Sequence, residues 1–271
     1  MGKKAFVLDI AKCSGCYCCQ LACKDEHCNN DFSPIAAPQP DIGQFWIKVN
    51  DYVNGSAPKV QVHYVPEMCN HCEKCPLLDM ARDGDVYRRE DGLVVIDSVK
   101  ARGRKELAEA CPYGAVYWNE ELGLAQKCTG CAHLLDNGYA KPRCVEMCPT
   151  EALVFGDEDE LQDLIVGATV MHPETGLGPR VYYRNIPGQF IAGLVYDPVE
   201  KEVVIGARVR AITGGKLYMT NTDEYGDFWF RDLAVGVFDV YIEAKGYKPK
   251  VFKGLHTTEC INLGEIPLEK E

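Results

Sequence analysis

The spacing of the cysteines constrains this chain more than any other feature. The stretch "CSGCYCCQLAC" sets Cys13, Cys16, Cys19 and Cys23 in the frame C-x2-C-x2-C-x3-C. "CNHCEKCP" sets Cys69, Cys72 and Cys75 two residues apart, and "CTGCAHLLDNGYAKPRCVEMCP" carries Cys128, Cys131, Cys144 and Cys148, with Pro149 after the last. Three thiols at two-residue intervals sit on a tight loop that aims them at one centre. A fourth, three residues on, opens a helix and points away, toward a second cluster. A chain with these loops is built around metal before it is built around an apolar core.

Exchange of fourth ligands, as in pseudo-twofold ferredoxin-like modules, gives an assignment. Cys13, Cys16 and Cys19 take Cys148, while Cys128, Cys131 and Cys144 take Cys23. The triplet Cys69, Cys72 and Cys75 needs one more thiol. Cys111 in "ELAEACPYGAVYW" has its own Cys-Pro closure, although "SVKARGRKELAEA" before it holds no cysteine. Cys111 is the one candidate left in the right context. These residues account for three [4Fe–4S] clusters. Cys18 is read as a small buried residue, and Cys28 and Cys260 are left over. Zinc is the competing reading, because C-x2-C pairs also build four-thiolate zinc sites. His27, His71 and His133 lie near the cysteines and are read as outer donors or spacers rather than ligands.

The chain has 271 residues and 46% apolar content, enough for two domains with cores of their own. A formal charge of −11 argues against a nucleic-acid-binding face. The apolar run in "MGKKAFVLDIAKCSGC" stops at Asp9, too short for a signal peptide. No stretch approaches the ~18 apolar residues of a membrane span. The expectation is a cytoplasmic protein with no direct membrane insertion, the alternative being export bound to a partner that carries a twin-arginine signal. All of its 15 cysteines except Cys260 precede Pro149, and without an export signal they point to metal rather than disulfides. No nucleophile motif, phosphate loop or dinucleotide fingerprint occurs, so no catalytic residue is expected here. Lys12 and Lys127 precede cluster cysteines, where they would raise a reduction potential or simply lie on the surface.

The elements follow from alternation and turn residues. "AFVLDIAKC" reads as a strand into the first cysteine loop, and "QLACKDEH" as a short helix. Three hairpins are expected: "FWIKVND" with "PKVQVHYV", "DVYRREDGLVVID" turning at Asp91-Gly92, and "GAVYWNEELGLAQKC" turning at Gly123. "TEALVFGD" reads as a strand and "DEDELQDLIVGA" as a helix. The expected divisions are a cluster-binding domain over 1–160, a connector over 161–188 whose "RVYYRN" lies against that domain, and a β-sandwich over 189–271. In this last region short alternating strands are punctuated by Asp197-Pro198, Gly214-Gly215, Gly226, Gly236 and Gly246.

The stretch "GARVRAITGG…TNTDEYGDFWFRDLAVGVFDVYIEAKGY" resembles the carboxypeptidase-regulatory-like, transthyretin-like family. The first 188 residues resemble the iron–sulfur subunits of dimethyl-sulfoxide-reductase-family molybdopterin oxidoreductases. Those subunits usually hold four cysteine motifs and four clusters. Here "CNHCEKCP" matches the second motif, and "EDGLVVID" and "ACPYGAVYWN" match the flanks of the third. The first three cysteines of the third motif and the fourth of the second are missing, so one whole site is lost while its neighbour keeps its ligands. Three clusters plus a C-terminal sandwich is similar to the small subunits of pyrogallol–phloroglucinol transhydroxylases, resorcinol hydroxylases and catechol dehydroxylases.

The resemblance implies an α+β fold: a double ferredoxin-like module with β-hairpin insertions, then an all-β sandwich. It implies a heterodimer with a large catalytic subunit that carries bis-molybdopterin-guanine-dinucleotide molybdenum and binds a phenolic substrate, with higher-order assembly of heterodimers a further possibility. It also implies a complex without a quinone-linked membrane anchor, because the lost site is the one farthest from molybdenum in four-cluster relatives. A free-standing polyferredoxin is the alternative.

Overall fold

The computed structural model describes residues 2–271. They form two compact units, residues 2–51 with 63–186, and residues 52–62 with 187–271. Up to Ile186 the elements run in order β1 (Lys4–Asp9), α1 (Cys18–His27), β2 (Ile47–Ser56), β3 (Lys59–Met68), α2 (Pro76–Asp79), β4 (Val86–Arg88), β5 (Val94–Ile96) and α3 (Glu106–Glu109). They continue with β6 (Tyr117–Asn119), β7 (Leu124–Gln126), α4 (Ala132–Asp136), α5 (Arg143–Glu146), β8 (Leu153–Asp157), α6 (Gln162–Ile165) and β9 (Val181–Arg184).

In the first unit β1 is the organising strand. Its sequence KAFVLD is apolar on both faces, and its four central residues are buried. It pairs antiparallel with β8, Leu8 opposite Leu153, and parallel with β9, Phe6 opposite Val181. The antiparallel pairing sets the end of β1 beside the start of β8, where the Asp9 amide donates to the Ala152 carbonyl at 2.8 Å. The loop after β1 carries Cys13 and the loop before β8 carries Cys148, so strand register alone brings these distant cysteines together.

Three hairpins project from this frame: β2–β3, β4–β5 and β6–β7. Strand β9 sits where a connector was expected; Val181 and Tyr183 alternate into the core, which makes it part of the first unit's sheet. Helix α6 is shorter than expected, because it ends ahead of Gly167 at φ +78°.

Beside a small cluster of Ala5, Val7 and Leu161, two large apolar clusters fill this unit. One joins Phe6, Leu8, Trp46, Ile47 and Phe155 to Cys19, Cys23, Cys69, Cys128 and Cys144. The other joins Leu77, Val86, Ile96, Leu107 and Leu124 to Cys72 and Cys75. The cysteine-free stretch before Cys111 is packed with side chains. Leu107 is fully buried, and buried Asp85 pairs with Arg104, which also donates to the Met80 carbonyl at 2.8 Å. Breaking such a buried pair costs about 3–5 kcal/mol.

The second unit adds β10 (Gln189–Asp197), β11 (Glu202–Val203), β12 (Arg208–Thr213), β13 (Lys216–Asn221), β14 (Asp227–Leu233), β15 (Val237–Glu243), β16 (Lys250–His256) and β17 (Ile261–Pro267). Strand β10 pairs with β11, β14 and β17, and the other sheet has the order β13-β12-β15-β16. Phe228, Phe230, Phe238, Val209 and Val240 form the core of this unit. The other pairings in this unit are antiparallel, whereas β10 and β17 are parallel. A parallel pair needs a long connection, and the strands between them supply it. Among the described residues no helix is long and apolar enough to cross a membrane.

Candidate metal centres

The three C-x-x-C loops share one backbone device. Their third residues are Gly15, His71 and Gly130, with φ of +66°, +44° and +65°. A Cβ on Gly15 would lie 2.6 Å from the Tyr64 ring, and one on Gly130 would lie 2.7 Å from Leu93. Glycine is therefore required twice, for conformation and for space. His71 takes the same left-handed turn at a cost of about 1–2 kcal/mol. It is held by the amide of Val94, which donates to Nδ1 at 3.1 Å. Burial holds the His71 pKa well below the usual range, and the charges of Lys127, Arg88 and Arg180 push the same way, so the ring is neutral. Its position in "CNHC" was the sequence signal: it occupies the glycine slot.

Two helices distribute the thiols. Cys19 and Cys23 are four apart on α1, and Cys144 and Cys148 are four apart on and just beyond α5. Four-residue spacing puts each pair on one helix face, and α1 packs against α5. The outcome is a crossed pair of thiol sets. Cys13, Cys16, Cys19 and Cys148 line one recess of about 400 Å³, together with Leu8, Ile10, Gly15 and Val49. Burial raises the Cys13 and Cys19 thiols, the latter to about 12, and thiols of the same set add to both shifts.

Cys23, Cys128, Cys131 and Cys144 form the second set, all buried. Burial raises Cys23 and Cys144 well above the usual thiol range, and Cys128 and Cys131 act on both of them. Burial also lifts Cys128 to about 11 and Cys131 to about 12. In the third set, burial carries Cys72 to about 12, with Cys69, Cys75 and Cys111 adding to it. Burial raises Cys75 and Cys111 as well, and Cys69 acts on both. The second set neighbours both of the others. Cys144 of the second feels Cys19 of the first, and Cys128 of the second feels Cys69 of the third.

This donor set fits iron–sulfur clusters. The cysteines are all free, and buried thiols that repel one another as thiolates stay protonated in the absence of a cation. A metal reverses that, because a coordinating thiol is deprotonated outright. Among the described residues no three His, Cys, Asp or Glu side chains converge on a single-ion site. Ligands of a cubane bind different iron atoms and need not converge in that way.

The remaining residues divide. Cys18 was expected to be buried but is partly exposed beside Cys16, because it starts α1 after Tyr17 at φ +59°. Cys28 faces Asp41 and Cys260 faces Gln189. His27 is buried with Nε2 3.9 Å from the Cys131 sulfur, and burial lowers its pKa to about 3. His133 Nε2 pairs with Glu26 at 3.0 Å. Lys12 is exposed, whereas Lys127 is buried, which the sequence did not reveal.

Comparison with known proteins agrees with this chemistry. Residues 60–158 match the 4Fe-4S dicluster domain family, and residues 191–259 match the carboxypeptidase regulatory-like domain family. The chain is 38% identical to the pyrogallol hydroxytransferase small subunit of Pelobacter acidigallici, over 89% of this chain and 90% of the relative. It is 33% identical to the B component of tetrathionate reductase from Salmonella typhimurium, over 70% of this chain and 76% of the relative. It is 36% identical to the B component of anaerobic dimethyl sulfoxide reductase from Escherichia coli, over 58% of this chain and 75% of the relative.

Proposed function

Because this chain belongs to the family of iron–sulfur electron-transfer subunits of dimethyl-sulfoxide-reductase-type molybdopterin oxidoreductases, we propose that it is the three-cluster relay subunit of a heterodimer acting on phenolic aromatics. What supports the reading is that Cys13, Cys16, Cys19 and Cys148 line one recess and that the other eight thiols interact within two further groups of four. A [4Fe–4S] cluster supplies reversible one-electron transfer. The first set would hold one through Cys13, Cys16, Cys19 and Cys148. The second would hold one through Cys23, Cys128, Cys131 and Cys144, and the third through Cys69, Cys72, Cys75 and Cys111. The protein's own part is to fix the thiols, exclude water from the second set and from Cys69, Cys72 and Cys75 of the third, and set the local charge.

The chemistry on substrate belongs in this reading to a large partner with a molybdopterin-bound molybdenum centre. The likeness to a pyrogallol hydroxytransferase subunit over most of both chains favours a phenolic substrate. The first set is the natural port, because Cys16 is exposed and Cys13 and Cys148 are partly so. The stretch ahead of Cys111 holds no cysteine and is packed with side chains, which supports a complex without a membrane anchor. Anaerobic purification from the native host tests the assignment. The expected product is a tight heterodimer with a large molybdenum subunit. A solitary, stable, iron-loaded monomer would establish the polyferredoxin alternative, and co-purification with an integral membrane subunit would refute the anchor-free complex.

A further inference from the structure

Lys127 is 2% exposed. Its ammonium donates to the carbonyl oxygens of Val94 and Cys128, the latter at 3.0 Å, so it is held by neutral oxygens and not by a carboxylate. A buried cation without a counter-ion keeps most of its field, because little water screens it. The same Val94 donates its amide to His71, which stands between Cys69 and Cys72, so the ammonium lies beside the loop of the third set.

Arg88 adds a second charge. Its guanidinium donates to the carbonyls of Cys72 and Glu73 at 2.7 Å each and to Gly92 at 2.9 Å. Burial lowers the Arg88 pKa first and the neighbouring Arg180 second, while Cys75, Glu73 and Cys72 act in the opposite sense. Glu73 is exposed and therefore screened. Arg180 is 5% exposed, and its Nη1 has no hydrogen-bond partner. The first set has no such surroundings. No lysine, arginine or histidine lines its recess, and Lys12 is exposed.

We propose that Lys127 and Arg88 tune the third thiol set, so that a [4Fe–4S] group bound there has a higher reduction potential than one bound at the first. Positive charge close to the sulfurs favours the more reduced state. The third set, in which Cys111 alone is partly exposed, is then an electron reserve, and the first, with Cys16 exposed, is the point of exchange. The inference rests on the three-cluster reading above.

The test is an anaerobic redox titration of the heterodimer, followed by electron paramagnetic resonance. The third-set signal is identified as the one lost in Cys111→Ala, and the first-set signal as the one lost in Cys16→Ala. The expected result is a higher midpoint for the third set than for the first. Lys127→Met lowers the third-set midpoint and leaves the first in place, and Lys127→Arg keeps the wild-type value. A third-set midpoint at or below the first, or equal midpoints in Lys127→Met and Lys127→Arg, overturns the proposal. Should Lys127→Met fail to load three clusters, Arg88→Gln decides by the same lowering. An iron content far from about twelve per chain (three sets of four) refutes the underlying reading instead.

Discussion

Replacing Cys111 with alanine lowers the iron content from about twelve atoms per chain to about eight and leaves two clusters spectroscopically intact. Cys111 is far in sequence from Cys69, Cys72 and Cys75, yet it acts electrostatically within their set. Cys69, Cys72 and Cys75 are buried, and the three cysteines outside the sets, Cys18, Cys28 and Cys260, lie beside Cys16, Asp41 and Gln189 instead. The first two sets share helices α1 and α5 and do not depend on the Cys111 loop. Iron analysis and electron paramagnetic resonance of the purified variant check the result. Three intact clusters would remove Cys111 from the ligand set.

The second large effect is on folding. Anaerobic chelation of iron unfolds the first unit and spares the second. In the first unit cysteines belong to both apolar clusters, so unliganded thiols crowd the space where a close-packed core should be. Binding free energy is then folding free energy. The second unit has a core of Phe228, Phe238, Val209 and Val240 with no cysteine in it. Hydrogen exchange read by mass spectrometry on the full chain should show protection lost in β1, α1 and β8 and kept in β10, β12 and β15. Loss of protection in both units together, as one cooperative transition, would contradict the claim.

Much of this arrangement was legible in the sequence because local chemistry decides it. Cysteine spacing gave the proposed ligand sets, and the hairpins were marked by alternation and by Asp91-Gly92 and Gly123 at the turns. The rest depended on contacts between distant residues. The parallel pairing of β10 with β17 joins strands from opposite ends of the second unit, and no local pattern encodes it. Helix α6 spans four residues, too few for its periodicity to be read. Residues 52–62 group with the sandwich although they lie far from it in sequence. Lys127 looked like any lysine beside a cysteine; its burial follows from the β5 strand, whose Val94 carbonyl accepts its proton. Cys18 looked apolar and small, but the left-handed Tyr17 turns it toward Cys16 and solvent.

The central claim is that these cysteines hold iron–sulfur clusters in three sets of four. Metal and acid-labile sulfide analysis of the anaerobically purified wild-type chain tests it most directly. The account predicts about twelve iron atoms and about twelve sulfides per chain, four of each for every set, and no zinc. Zinc in stoichiometric amount with no acid-labile sulfide would contradict it.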